Sequence, residues 1–289
     1  MPSAEQLTEV VAVHGEGPVW DDAAQQLLCV DLTEGALLRV DHITGAVRRS
    51  QVSSVLAALR PRRSGGWVLA LERGFALTDT GWDDEPRVRA LPQLWSDPGV
   101  RMNEGGCDPA GRFWCGSMAY DQSEGAGTLW RLDPDGSASA ALRGVTVSNG
   151  LAWSPDGSVA YYNDTPTGRT DVLQVDADTG EVTGRRPFAT APEGDGMPDG
   201  LVVDAEGGVW TALYGGGAVV RYGPDGTLTE RVDVPTPHVT ACTFGGPGLA
   251  TLFITTSTEG LDREQEPQAG ALFHHEPGVR GQLPLTFAG

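Results

Sequence analysis

Three short stretches place a carboxylate or carboxamide directly before glycine: HGEGPVW with Glu16, VSNGLAW with Asn149 and MPDGLVV with Asp199. A fourth, RMNEGGCDPAGRFWCGSM at residues 101–118, crowds Arg101, Asn103, Glu104, Cys107, Asp108 and Cys115 into one segment. Glu16, Asn149 and Asp199 offer oxygen ligands only, with two negative charges, so a hard divalent cation suits them: Ca²⁺, Mg²⁺ or Mn²⁺. Zn²⁺ through the carboxylates is a weaker match, for want of Cys and His ligands. An ion with an open position polarises a carbonyl as a Lewis acid. A carboxylate beside it takes a proton from attacking water, and Asp199 is the candidate, although a metal neighbour holds its pKa down and limits its strength as a base. Arg101 and Asn103 would grip hydroxyl or carbonyl oxygens or stabilise a developing oxyanion. Together they suggest hydrolysis of an activated ester, above all a sugar lactone.

Residues so far apart in sequence meet only if the chain brings them together, and its repeats say how. One pattern joins an apolar residue, a turn rich in Asp, Pro and Gly, and an alternating strand: WDDAAQQLLCVDL, CDPAGRFWCGSM, WSPDGSVAYYNDT, VDAEGGVWTALY and FGGPGLATLFITTS, with a weaker RPRRSGGWVLAL. A second pattern, a strand and a hairpin turn, follows each: GALLRVDHITG, GFALTDT, GTLWRLDPDG, DVLQVDADTG, GAVVRYGPDG and GALFHHEPG. P-D-G and D-x-x-G between period-2 runs are hairpin signals. Units of about 40 to 50 residues with four short strands each are the mark of propeller blades. The expectation is an all-β fold: a six-bladed β-propeller of four-stranded blades around a central, metal-containing channel, as a single domain over residues 1–289. A parallel β-helix, the rival, has shorter repeats and needs no paired hairpins. LTEVVAV, before the first full unit, is expected to supply the outer strand of the last blade.

Superposing the repeats on Trp20, Cys107, Trp153, Val203 and Phe244 puts Glu16, Asn103, Asn149, Asp199 and Thr240 at one register position. The weak second repeat offers Leu56 or Ala57. Period 2 then turns His14, Arg101, Val147, Met197 and His238 the same way. A ring of Glu16, Asn103, Asn149, Asp199 and Arg101 results, with His14 and His238 at its rim. The glycines after the polar residues read as a narrow turn before each strand, where the backbone approaches a ligand closely. Cys107 and Cys115 fall at positions held elsewhere by large apolar residues, so packing rather than reactivity is expected, and likewise for Cys29 and Cys242. Trp67, Trp114 and Trp210 read as packing between blades.

Composition narrows the partners. The net charge is −19, and all 20 basic residues are Arg because the chain has no lysine. That removes lysine Schiff-base chemistry and the Walker lysine, and argues against nucleic acid and anionic membranes. The four cysteines show no C-x-x-C spacing, MPSAEQLTEV lacks a basic and apolar leader, and no apolar run nears the ~20 residues of a membrane span. A cytoplasmic chain with reduced thiols is expected. Oligomeric state is not legible.

The segments GEGPVW, RMNEGGCDPAGRFWCGSM, SNGLAWSPDG, PDGLVVDAEGGVWTALY and TACTFGG resemble, in the same order and along nearly the whole chain, the motifs of the SMP-30/regucalcin/gluconolactonase family. The resemblance implies a six-bladed propeller that opens sugar lactones to the acid with one divalent cation, Ca²⁺ foremost. It places the metal ligands on Glu16, Asn149 and Asp199, the acid/base on Asp199, and the substrate contacts on Arg101 and Asn103. A further acidic contact, a Glu in the family, falls on Asp121 in GSMAYD, a shorter side chain preceded by Tyr120. RMNEGG also departs from the commoner R-F-N-D-G at Met102 and Glu104. The rival readings are another ester or phosphotriester hydrolase on the same site, and a non-catalytic calcium-binding propeller.

Overall fold

A computed structural model describes residues 2–82 and 87–289. Short alternating strands can hide their apolar faces only by stacking sheet on sheet. Here the described residues form six four-stranded antiparallel sheets. Their innermost strands are Gly15–Asp21, Leu56–Pro61, Val100–Cys107, Ser148–Trp153, Met197–Val203 and Val239–Gly245. Each lies against the innermost strand of the next blade, and the sixth returns to the first, which closes the propeller.

The turns form where the repeats put them, because their Asp side chains satisfy backbone donors. Asp108 accepts from the Arg112 N–H and the Trp114 indole and pairs with the Arg112 guanidinium. Asp204 repeats this with Gly208, Trp210 and Arg221. The hairpin residues Asp41 and Asp176 each accept two N–H groups of their own turn. Trp20, Trp114 and Trp210 are fully buried between blades; Trp20 stacks on Phe253 and Trp210 meets Phe244 edge-on. Each such side chain stabilises the fold by roughly 2–3 kcal/mol. All four cysteines are free and buried, as the repeat register implies.

The two chain ends lock the ring. The outer strand of the last blade does come from the N-terminus, but it is Glu5–Gln6, paired with His274 and Phe273, and not the LTEVVAV segment. From Leu7 onward the chain follows the last blade in irregular conformation, with the N–H groups of Leu7, Val11 and Ala12 donating to Leu272 and Gly270. The C-terminal segment crosses one end of the ring. Gly281 bonds Leu249, the Gln282 amide donates to Val203 and Asp204, and Phe287 is buried beside Pro61–Arg63. No helix among the described residues is long and apolar enough to cross a membrane.

Candidate functional site

Every innermost strand carries one extra residue, at the same register or one residue from it. In the first, third, fourth and fifth blades, two residues face one across the ladder: Gly17–Pro18, Asn103–Glu104, Asn149–Gly150 and Asp199–Gly200. In the second and sixth blades a single residue, Ala57 or Thr240, has no partner. A β-bulge of this kind re-aims a side chain without ending the strand. The Asn-Gly and Asp-Gly pairs are therefore not turns before the strands, as their composition suggests, but bulges within them. Their glycines serve close approach. A Cβ on Gly150 would stand 2.7 Å from the Asp199 carbonyl oxygen, and one on Gly200 would stand 2.4 Å from the Ala241 Cβ. Hydrogen bonds stitch blade to blade: Asn103 Nδ2 donates to the Ser148 carbonyl, Asn163 Nδ2 to the Asp199 carbonyl and the Thr240 hydroxyl to the Gly15 carbonyl.

Asn149 and Asp199 sit in their bulges and Glu16, still paired with Val30, directly precedes its own; all three are buried, together with Arg101 and Asn103 from a fourth blade. Arg101 Nη1 donates to Asn103 Oδ1 at 2.7 Å and to the Met102 carbonyl, so the Asn103 amide holds the guanidinium in place. Asn149 Nδ2 donates to the Thr165 hydroxyl at 3.1 Å, which turns its carboxamide oxygen the other way. Burial pushes the Glu16 carboxyl up to about 7, against the pull of the Gly17 N–H and of Arg101. Burial also drives Asp199 well above the carboxylate range, reinforced by the charges of Glu16 and Glu104; the Asn149 carboxamide and Arg101 act in the opposite sense.

His14 and His238 do sit where these strands begin. His14 Nδ1 lies 2.8 Å from Ser257 Oγ and 3.3 Å from Glu259 Oε2. Burial, then the charges of Arg101 and His238, lower its pKa to about 3, so the ring is neutral. His238 stacks on Tyr214 with ring centroids 4.1 Å apart. Asp121 is not brought to this cluster: it is exposed in a turn and accepts from the Ser123 N–H and hydroxyl. Its neighbour Tyr120 is the one that reaches Arg101, with the guanidinium 5.7 Å from its ring centroid, while its hydroxyl donates to Glu72.

Two residues at the site have places that the sequence did not assign: Glu104, noted there only as a departure from the family pattern, and Asn163. Glu104 is buried, its Oε2 has no hydrogen-bond partner among the described residues, and burial and the charge of Glu16 hold its carboxyl well above the ordinary range. Asn163, fully buried, fixes the Asp199 backbone and accepts from the Thr170 hydroxyl. A polar residue in the strand facing a bulge was the available signal for Asn163. For Glu104 it was an acidic residue next to a register position already marked.

The donor set fits a cation. Asn149 Oδ1 and Asp199 Oδ1 are both buried without a partner among the described residues, and such atoms cost about 1–3 kcal/mol each when left unsatisfied. Negative charges crowded in low dielectric call for a positive one. Among the described residues, no group of three or more His, Cys, Asp and Glu side chains could hold a metal, so a site here depends on the Asn149 carboxamide as its third oxygen.

The sequence model described as "SMP-30/Gluconolactonase/LRE-like region" matches residues 14–258. The chain belongs to this family. Regucalcin of Xenopus laevis is 35% identical over 286 residues, covering 95% of each chain. The Bacillus subtilis (strain 168) protein named "Putative sugar lactone lactonase YvrE" is 33% identical over 282 residues, covering 96% of each. The calcium-binding protein regucalcin from Agrobacterium tumefaciens str. C58, a crystal structure, superposes with a TM-score of 0.91 at 30% identity, covering 99% of this chain and 97% of its own. Membership in the family accounts for the shared propeller.

Proposed function

We propose that this chain is a lactonase that hydrolyses sugar lactones with one divalent cation held by Glu16, Asn149 and Asp199. The observation that carries this reading is the pair of buried oxygens on Asn149 and Asp199 that have no partner among the described residues, next to Glu16 and to the Arg101–Asn103 pair. The family's gluconolactonase members and the lactonase name of the Bacillus subtilis relative support the substrate class.

When bound, the cation supplies Lewis-acid polarisation of the lactone carbonyl. Asp199 accepts a proton from the attacking water and returns it to the ring oxygen as the acyl C–O bond breaks, which leaves the hydroxy acid. Arg101, fixed by Asn103, faces the oxygen that gains negative charge. Neutral His14, beside Ser257, and the Tyr214–His238 stack stand by the starts of the inner strands, where the substrate would enter.

The test is a pH-indicator screen of aldonolactones on chelated protein, with Ca²⁺, Zn²⁺, Mg²⁺ or Mn²⁺ restored one at a time and spontaneous ring opening subtracted. Turnover that needs a restored metal is expected, with Ca²⁺ effective. Full turnover by the chelated protein would exclude the metal. Hydrolysis of aryl esters or phosphotriesters but of no lactone would favour the second hydrolase reading, and metal binding without any turnover would favour a binding propeller.

A further inference from the structure

One acidic side chain where the inner strands begin has no part in the chemistry above. In the sixth blade the second strand, Thr251–Thr256, runs out beside the start of the first blade, where Ser257 bridges to His14. Thr258 donates to the Val13 carbonyl through both its N–H and its hydroxyl, and the Ser257 N–H donates to the His238 carbonyl. These bonds fix the exit of the strand, and the next residue is Glu259. Its N–H donates to Ser257 Oγ at 3.1 Å, and its Oε2 lies 3.3 Å from His14 Nδ1. The carboxyl is thus held on one side while 40% of the side chain stays exposed.

Three blades locate this carboxyl over the ring. Burial depresses the Arg101 guanidinium of the third blade, and Glu259 is the charge that most opposes this. Burial raises the Tyr214 hydroxyl of the fifth blade, with Glu259 again foremost among the charges, and Glu16 of the first blade feels it too. Yet no ion pair within 4.0 Å joins Glu259 to Arg101 among the described residues. A gap separates them, with a donor on one wall and an acceptor on the other. The neighbouring carboxyls are engaged elsewhere: Glu72 accepts from the Tyr120 hydroxyl and Asp121 from Ser123. Burial raises the Glu259 carboxyl and Arg101 draws it back, but the group accepts a hydrogen bond in either protonation state.

A hydroxyl is both donor and acceptor, so a ring with several of them can face Glu259 and Arg101 at once, whereas an unsubstituted lactone offers acceptors alone. We propose that Glu259 is a specificity-determining residue that accepts hydrogen bonds from the hydroxyl groups of a lactone at the channel mouth, and so selects polyhydroxylated lactones over unsubstituted ones. This rests on the lactonase reading and adds to it a contact outside the metal-ligand set. A site built to bond a hydroxyl rejects the analogue that lacks it, because the site's own polar group is left unpaired.

The measure is the ratio of kcat/KM for δ-gluconolactone to kcat/KM for δ-valerolactone, with metal restored and spontaneous opening subtracted. Wild type should favour the hydroxylated lactone. Glu259→Ala should cut the ratio at least ~10-fold, chiefly through a higher KM for δ-gluconolactone, and Glu259→Gln, which keeps an acceptor oxygen, should restore part of it. A merely structural role would lower both lactones together; an unchanged ratio in the folded Ala variant, or a Gln variant no better than Ala, overturns the proposal. Calorimetric titration with methyl β-glucoside, which has the hydroxyls but no ester to open, keeps the two readings apart. It should bind wild type with a dissociation constant on the order of 1–10 mM, and Glu259→Ala at least ~10-fold more weakly. If wild type opens no lactone, the lactonase reading fails while this titration still decides the contact, and equal binding by the two proteins overturns it.

Discussion

The second and fourth blades share a backbone plan and differ in what hangs from it. In both, the innermost strand gains one residue at the same level. In the second blade that residue is Ala57, fully buried among apolar neighbours; in the fourth the bulge carries Asn149, whose carboxamide oxygen finds no partner among the described residues. The bulge is thus a property of the scaffold, present in all six blades. Chemistry enters by substitution at a position already aimed inward. The third and fifth blades made that substitution with Asn103 and Asp199, the first carries its carboxylate one residue earlier, on Glu16 beside the Gly17–Pro18 bulge, and the sixth went part of the way with Thr240, which spends its hydroxyl on the Gly15 carbonyl and Thr255.

Making polar blades resemble the second one tests this contrast. Asp199→Ala removes the proposed proton acceptor and one metal oxygen, and should lower lactone turnover by about 10³-fold or more with the circular dichroism of the sheets unchanged. Undiminished turnover would mean that the fifth blade's bulge is scaffold alone. Asn149→Ala leaves both carboxylates in place and should weaken cation affinity at least ~10-fold in calorimetric titration of chelated protein. An unchanged affinity would show the carboxamide to be a spectator.

The smallest effect concerns stability. Glu16 holds its proton more tightly when folded, with its carboxyl pushed by burial from the ordinary 4.5 up to about 7. Its contribution is fully present below 4.5 and is lost as pH rises through about 7. Chelated wild type should therefore lose stability over that window. Glu16→Gln, which cannot ionise, should melt about 3 °C higher than wild type at pH 8 without metal and gain less from added Ca²⁺. A chelated wild type with a flat melting profile between pH 4.5 and 8 would contradict the burial of this charge.

Much of this was legible in advance, and the misses have physical causes. The repeats exposed the propeller because each blade must reuse the same turn chemistry, seen in Asp108 and Asp204 accepting from an indole and a backbone N–H at matched places. Glu16, Asn149 and Asp199 stood out because polar residues recur where an inner strand should be apolar. Reading Asn-Gly and Asp-Gly as turns failed because those pairs serve turns and bulges alike, and only the partner strand distinguishes them. The outer strand was placed too late because LTEVVAV looks more strand-like than Glu5–Gln6. What decides is which backbone groups can reach His274 and Phe273.

The sequence by itself determined the repeat, the blade count and the one register that carries polar side chains, since these follow from local turn chemistry and the period of a strand. Tertiary structure alone decided that Asp121 stays in its own exposed turn while Tyr120 reaches Arg101. It also decided that Glu104 comes under the charge of Glu16, and that the far end of the channel keeps a cavity lined by Arg60 and the C-terminal segment. Those outcomes depend on distances between residues of different blades, which are fixed by ring closure and by no local pattern.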